Sequence, residues 1–205
     1  MIRKLILPII LVLSMCIHAS AWCPTVVTSG NQAAVGYAVC GSPSAIYTPD
    51  MATPTDSGNN PAARNYRDII PASGASGSAS TIAVKITAGA GSLTVDHVTI
   101  GVSTADGVFD AAPTTITFAG QEGVTISSGQ TVTSDKITFT FTSTVRHLIA
   151  FWMADRSYVL YDNGSDDSGY SNTTDSTDKS EELTDANASS AASYSFVYTE
   201  LDSCD

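Results

Sequence analysis

Between Thr114 and Met153 the chain reads TTITFAGQEGVTISSGQTVTSDKITFTFTSTVRHLIAFWM, and apolar residues recur there at every second position. Ile116 and Phe118 form one such run and Val124 and Ile126 the next. Ile137, Phe139 and Phe141 make a third, and Leu148 to Met153 a denser fourth. A period of two sends alternate side chains to opposite faces, so each run predicts a strand with one buried and one solvated side. Gly120, Gly123, Gly129 and the Ser134-Asp135 pair break the runs at turn positions. Short strands so closely spaced, with no helix-period pattern of useful length beyond the N-terminal segment, predict an all-β fold, an antiparallel two-sheet sandwich or jelly roll.

The same alternation continues on both sides of this stretch. Ile82, Val84 and Ile86 alternate with Ala83, Lys85 and Thr87, and a small-residue turn follows at 88–91. Leu93 and Val95 keep one register while Val98, Ile100 and Val102 continue in the other, so the switch at Asp96-His97 predicts a bulge. Ala34 to Cys40 predicts a first strand and Tyr194 to Leu201 a last one, with a short edge strand at Tyr66 to Ile70 and a flexible turn at Ser73 to Ser80. Two segments are expected to pack outside the core. Residues 41–65 carry Pro43, Pro49, Pro54 and Pro61; proline lacks a ladder donor, so an irregular arm is predicted. Residues 162–192 are nearly all Asp, Ser, Thr, Asn, Gly and Ala, with one lysine, Lys179, and predict a long loop that is either functional or disordered. A short helical turn is expected near Ser180 to Ala186.

The first 21 residues have the form of a secretory signal. Arg3 and Lys4 are followed by the apolar Leu5 to Leu13 and the small residues Ala19-Ser20-Ala21. The apolar run is too short to span a membrane. Cys16 follows Met15, where a lipid-attachment cysteine needs a small residue. A short segment, 22–33, then leads into one domain, 34–205. Without Arg3 and Lys4 the chain keeps 7 of its 9 basic residues against 20 acidic ones, a formal balance of −13. That charge repels nucleic acid and anionic lipid, and suits a solvated extracellular or periplasmic protein. Cys23, Cys40 and Cys204 remain, so an oxidising compartment leaves one pair and one thiol. Three pairings are open. Cys23 with Cys40, which closes a short loop, is favoured, and a bond from either to Cys204 would tie the chain ends together.

Catalytic motifs are scarce. His97 and His147 are the only histidines beyond the signal segment, and each falls in a predicted strand, where it is expected to face solvent or be satisfied by hydrogen bonds. No G-x-S-x-G elbow presents a serine, the cysteines lack zinc-ligand spacing, and Gly89-Ala90-Gly91 reads as a hairpin turn. No catalytic residue is assigned. Two binding features stand out. Asp162, Asp166 and Asp167 flank Gly164 with the hard oxygen donors that Ca2+ takes from a flexible loop. Tyr158, Tyr161 and Tyr170 offer flat amphipathic rings suited to stacking on sugars, whereas Trp152, inside the most apolar run, is expected in the core.

The motifs V-T-I-G at 98–101, Asp110 after Gly107, T-F-A-G at 117–120, V-T-I-S-S-G at 124–129 and S-D-K-I-T-F at 134–139 together resemble a segment of secreted bacterial and phage-related proteins. That segment often precedes an SGNH-type esterase domain and is similar to jelly-roll accessory modules. The resemblance implies a carbohydrate-binding or surface-contact role, without the neighbouring domain's activity. The expected function is therefore a secreted, non-enzymatic binding module for a glycan or cell-surface partner. A structural adhesin or filament subunit, self-associating through sheet edges, is the alternative, and a hydrolase accessory or esterase-like protein the third reading.

Overall fold

The computed structural model describes residues 38, 40–49, 53–105, 107–162, 168–172, 177–184, 189–192, 197 and 199–205. The predicted signal segment and most of the predicted first strand lie outside them. Among the described residues the fold is all-β, and no helix is long and apolar enough to cross a membrane.

Two antiparallel sheets form the sandwich. In the first, β1 (Ser44–Tyr47) pairs with β15 (Thr199–Ser203), which pairs with β4 (Ser78–Thr87). The far side of β4 is shared by β10 (Ile137–Thr142) and β9 (Thr131–Thr133). Ser134 fills the gap between these two strands, since its backbone N–H donates to Val84 O and its hydroxyl accepts from Val84 N–H at 2.9 Å. The second sheet has six strands. Its order is β14 (Ser189–Ala192), β13 (Ser168–Asn172), β3 (Arg64–Ile70), β11 (His147–Met153), β6 (His97–Val102) and β7 (Thr114–Thr115). Two small ribbons flank the sandwich, β2 (Thr55–Asp56) with β12 (Leu160–Tyr161), and β5 (Leu93–Val95) with β8 (Val124–Ile126).

The alternation in the sequence becomes the core. Ile82, Val84 and Ile86 of β4, Phe141 of β10, Leu201 of β15, Ile149, Phe151 and Met153 of β11, and Val98 and Ile100 of β6 meet in one buried cluster. The register switch at Asp96 marks where the chain leaves the β5–β8 ribbon for the six-stranded sheet. Asp96 donates its N–H to Trp152 O, and its carboxylate accepts from Ala154 N–H at 2.6 Å, so Leu93, Val95, Val98 and Ile100 all reach the same core.

Several expectations are corrected. The disulfide joins Cys40 to Cys204, with Cα atoms 5.0 Å apart, which excludes Cys23–Cys40. The cause is the β1–β15 ladder: Ser44 lies opposite Ser203, so the residues just outside that pair are brought together. The proline-rich arm enters the core, because β1 delivers Ile46 and Tyr47 to it between the prolines. Tyr66 to Ile70 belongs to an internal strand, flanked by β13 and β11. Ser78 to Ser80 already belong to β4, while Ala72–Gly74 make a single 3-10 turn. The last strand is Thr199–Ser203; Val197 is buried in the core, and residues 194–196 and 198 lie outside the described residues. Near the expected helical turn the chain makes one hydrogen-bonded turn, Glu182 N–H donating to Lys179 O at 3.2 Å, which does not continue into a helix among the described residues; 185 and 186 lie outside them. Trp152 points away from the core and is half-buried on the outer face of the six-stranded sheet.

That outer face is covered rather than solvated. Asn65, Arg67 and Ile69 of β3 share it with Leu148 and Ala150 of β11 and His97 and Thr99 of β6, all buried. Ile69, Leu148 and Ala150 join Phe109 in a second apolar cluster against which Tyr170 packs. Gly101 leaves room for Phe109, since a Cβ there would lie 2.7 Å from its ring. Over the polar half of the face lies residues 177–184, the middle of the predicted loop.

Candidate functional site

Arg67, 1% exposed, fastens this strap. Its Nη1 donates to Gly107 O at 2.8 Å and Leu183 O at 3.2 Å, and its Nη2 to Lys179 O at 2.8 Å and Glu182 O at 2.7 Å. The planar guanidinium can serve four carbonyls at once because its donors diverge in a fixed fork, and its face lies 5.2 Å over the Phe109 ring. Asn65 closes the other end, donating to Thr177 O and accepting from Lys179 N–H. Thr99 donates to Ser180 O at 2.5 Å.

The strap also carries the most suggestive chemistry in the molecule. His97 Nδ1 lies 2.7 Å from Asp178 Oδ2 and 3.0 Å from Ser180 Oγ, and the Ser180 hydroxyl lies 2.6 Å from Asp178 Oδ1. A serine–histidine–aspartate relay needs the hydroxyl on one ring nitrogen and the carboxylate on the other. Here both crowd Nδ1, Ser180 is 1% exposed, and the buried Nε2 faces Glu181 Oε1 at 3.6 Å. The arrangement braces the strap against β6; it does not present a nucleophile.

His147 is a core residue, not the solvent-facing or hydrogen-bonded side chain expected. It stacks on Phe141 at 4.4 Å between centroids and meets Phe139 edge-on at 5.6 Å. Neither ring nitrogen has a well-formed hydrogen bond among the described residues. Burial pushes its pKa down to about 4, the Val145 backbone pulling the other way. A histidine whose folded pKa lies below its unfolded value of about 6.5 keeps its full stabilising contribution above that value. The contribution is lost as pH falls toward 4, because the unfolded chain binds the proton first. The melting temperature is therefore expected to fall between pH 6.5 and 4, and His147→Phe to flatten that part of the profile measured by calorimetry. An unchanged slope in the variant would place the acid sensitivity elsewhere.

The sugar-stacking tyrosines fall in two settings. Tyr170 of β13 is half-buried on the outer sheet face beside Gly107. Tyr158 and Tyr161, also half-buried, belong to the other end of the molecule, where the turn after β11 runs back along residues 57–62. Ser57 N–H donates to Val159 O, Tyr158 N–H to Gly58 O and Arg156 N–H to Ala62 O. Tyr158 adopts φ 63°, uncommon for a residue with a Cβ, and its ring lies over Gly91, where a Cβ would come within 2.4 Å of it. Exposed Asn59 and half-buried Asn60, Arg156 and Arg64 complete this end. The Arg156 guanidinium donates to Tyr66 Oη at 3.4 Å and, in the amide orientation that satisfies Asn60, from Nε to its oxygen at 3.3 Å. Arg64 Nε and Nη1 are buried without a partner among the described residues. Burial, and then the neighbouring Arg156 charge, hold the Arg64 pKa below the usual guanidinium value; burial raises that of Tyr66. Neither arginine was singled out by motif. The available signal was scarcity: they are two of seven basic residues beyond the signal segment.

Of the calcium candidates, Asp162 is buried and Asp166 and Asp167 lie outside the described residues. Among the described residues no group of three His, Cys, Asp or Glu side chains is placed to hold a metal ion. A pocket of about 230 Å3 beside the disulfide is lined by Cys40, Pro43, Lys85, Thr133, Ser134 and Asp202, with Lys85 Nζ bound to the buried Asp202 carboxylate at 2.6 Å. No protein-family model matches the chain, and no curated protein is significantly similar to it.

Proposed function

We propose that the protein is a secreted binding or surface module whose ligand is a glycan. The observation that carries this reading is the turn at 156–161, where Tyr158, held at positive φ, joins Tyr161, Asn59, Asn60 and Arg156 at one end of the sandwich. Aromatic rings offer an apolar face to sugar C–H groups, and amides and guanidinium donors suit hydroxyl oxygens. Backbone strain at a surface aromatic also fits a residue placed for contact. The disulfide fits an oxidising compartment and so an address outside the cytoplasm. A glycan array followed by titration calorimetry tests the reading. Binding should weaken at least about tenfold, or 1.4 kcal/mol, in Tyr158→Ala with Tyr161→Ala, and Tyr170→Ala should leave it unchanged. No binding to any glycan, together with concentration-dependent assembly in light scattering, would favour the structural adhesin or filament subunit. For that alternative the sheet edges at β1, β7 and β14 are the contact candidates.

Calcium belongs to the same proposal. Millimolar calcium is expected to raise the melting temperature by mass action if Asp162, Asp166 and Asp167 share an ion, and Asp162→Ala with Asp166→Ala to abolish the rise. Identical melting curves with calcium and with chelator would remove the ion from the picture.

A further inference from the structure

We infer that Arg64 and Arg156 form a binding site for an anionic oxygen group, a carboxylate or a sulfate, presented by the ligand. The inference rests on the glycan reading only for what carries the charge, since the demand for an anion comes from the arginines themselves.

The backbone brings the two together. Arg64 opens β3 opposite Met153, the last residue of β11, and Arg156 follows three residues later and is tied through its N–H to Ala62 O at 3.3 Å. Both arginines therefore stand at the same end of the β3–β11 pair, Arg156 on the phenol of Tyr66 two residues along β3 from Arg64, and the charge of Arg156 disfavours that of Arg64. Like charges this close are costly unless something neutralises them. The rest of the chain shows how cations are otherwise treated. Lys85 pairs with Asp202 and Lys179 with Glu182, Lys136 donates to Cys204 O, and Arg67 sits among four carbonyls. Among the described residues Arg156 has only the neutral oxygens of Tyr66 and Asn60, and Arg64 Nε and Nη1 are desolvated with no acceptor. In a chain with 20 carboxylate side chains and 9 cationic ones, a carboxylate was readily available to close this pair. Leaving it open fits an acceptor that arrives from outside. Guanidinium forks match carboxylate and sulfate oxygens in geometry as well as charge. The half-buried position lets an anion approach while keeping the interaction less screened than at an open surface. Tyr158 and Tyr161 lie next along the chain, so an acidic sugar residue, a uronate or a sulfate ester, is the class of ligand that meets both features.

The test uses the purified full chain and sodium sulfate as the probe, with sodium chloride at matched ionic strength as the control. Sulfate at ten times its Kd should raise the melting temperature by about 3–6 °C and chloride should not. Arg64→Met and Arg156→Gln should each abolish the shift, and Lys179→Met should retain it. Arg156 also holds Asn60 and Tyr66, so Arg64→Met is the cleaner variant. It removes two buried guanidinium nitrogens that have no acceptor among the described residues and should melt no lower than wild type in chloride alone. A shift that persists in Arg64→Met, or one that follows ionic strength, overturns the inference. Oligosaccharides with and without uronate or sulfate groups separate this result from the glycan reading. Binding of only the acidic ones supports both. A sulfate shift without any oligosaccharide binding keeps the anion site and removes the glycan, and binding of neutral oligosaccharides without a sulfate shift does the reverse.

Discussion

Replacing Arg67 with methionine is expected to unfasten residues 177–184 from the outer face of the six-stranded sheet and to lower stability by about 3–5 kcal/mol. Four backbone carbonyls, from Gly107, Lys179, Glu182 and Leu183, depend on this guanidinium. A hydrogen bond to a charged group contributes about 1.5–3 kcal/mol, and a buried acceptor left without a donor costs about 1–3 kcal/mol. Removing the charge also removes its own desolvation cost, which brings the net effect well below that sum. For a chain of this size the melting temperature should drop by about 10 °C. Arg67→Lys should fall between, because a single ammonium cannot reach carbonyls on both Nη sides. Hydrogen exchange should show the loss first at Lys179 N–H, which donates to Asn65, while β4 and β10 stay protected. A variant melting within 2 °C of wild type would mean that the strap holds on without its central donor.

The strap marks the boundary of what sequence patterning reveals here. The period-two runs at 82–86, 93–102, 116–126 and 137–153 place the core because burial of one sheet face is a local property, readable from alternate residues. Burial of the other face depends on which distant segment lies over it, and no period records that. Hints were present in His147–Met153, where apolar residues fill both parities at Leu148, Ile149, Ala150 and Phe151. Such a run signals a strand covered on both sides. Arg67, alternating with Tyr66 and Asp68 in a strand that is almost wholly buried, was a second hint, since a buried arginine needs acceptors. The composition of 162–192 predicted instead one long loop outside the core, whereas β13 and β14 lie within that segment and join the six-stranded sheet. The strap between them does pack outside the core, docking through its backbone carbonyls and the side chains of Asp178 and Ser180, while Glu181, Glu182 and Leu183 remain exposed.

Of the proposed site, only the aromatic half is suggested by the sequence. Tyr158 and Tyr161 could be picked as surface aromatics from their place at the end of an apolar run. That Arg64, 94 positions before Tyr158, shares their end of the sandwich follows only from the β3–β11 register and the turn after it. Prolines at 43 and 49 similarly hid β1. Neither falls within the four residues Ser44–Tyr47, which are just enough for one short edge strand.

Loss of the Cys40–Cys204 bond is expected to be the other large perturbation. The bond spans 164 positions, and cross-linking so long a loop removes unfolded-state entropy worth about 5 kcal/mol on the chain-entropy model, although native strain and residual structure commonly reduce the measured gain. The folded state has its own stake in the bond. It ties β1 to the end of β15, and Ile46 and Tyr47 enter the core from that edge strand. Cys204 is itself buried, and its carbonyl accepts from Lys136 Nζ at 2.8 Å. Cys40→Ser and the Cys40→Ser, Cys204→Ser double variant should therefore melt alike, about 10 °C below wild type, because both lose the same bond. Reductant should bring wild type down to them, whereas Cys23→Ser should melt as wild type does. Peptide mapping under non-reducing conditions supplies the chemical readout, with the Cys40 peptide joined to that of Cys204. A Cys23–Cys40 peptide, or a melting temperature indifferent to reductant, would break the argument from the β1–β15 ladder.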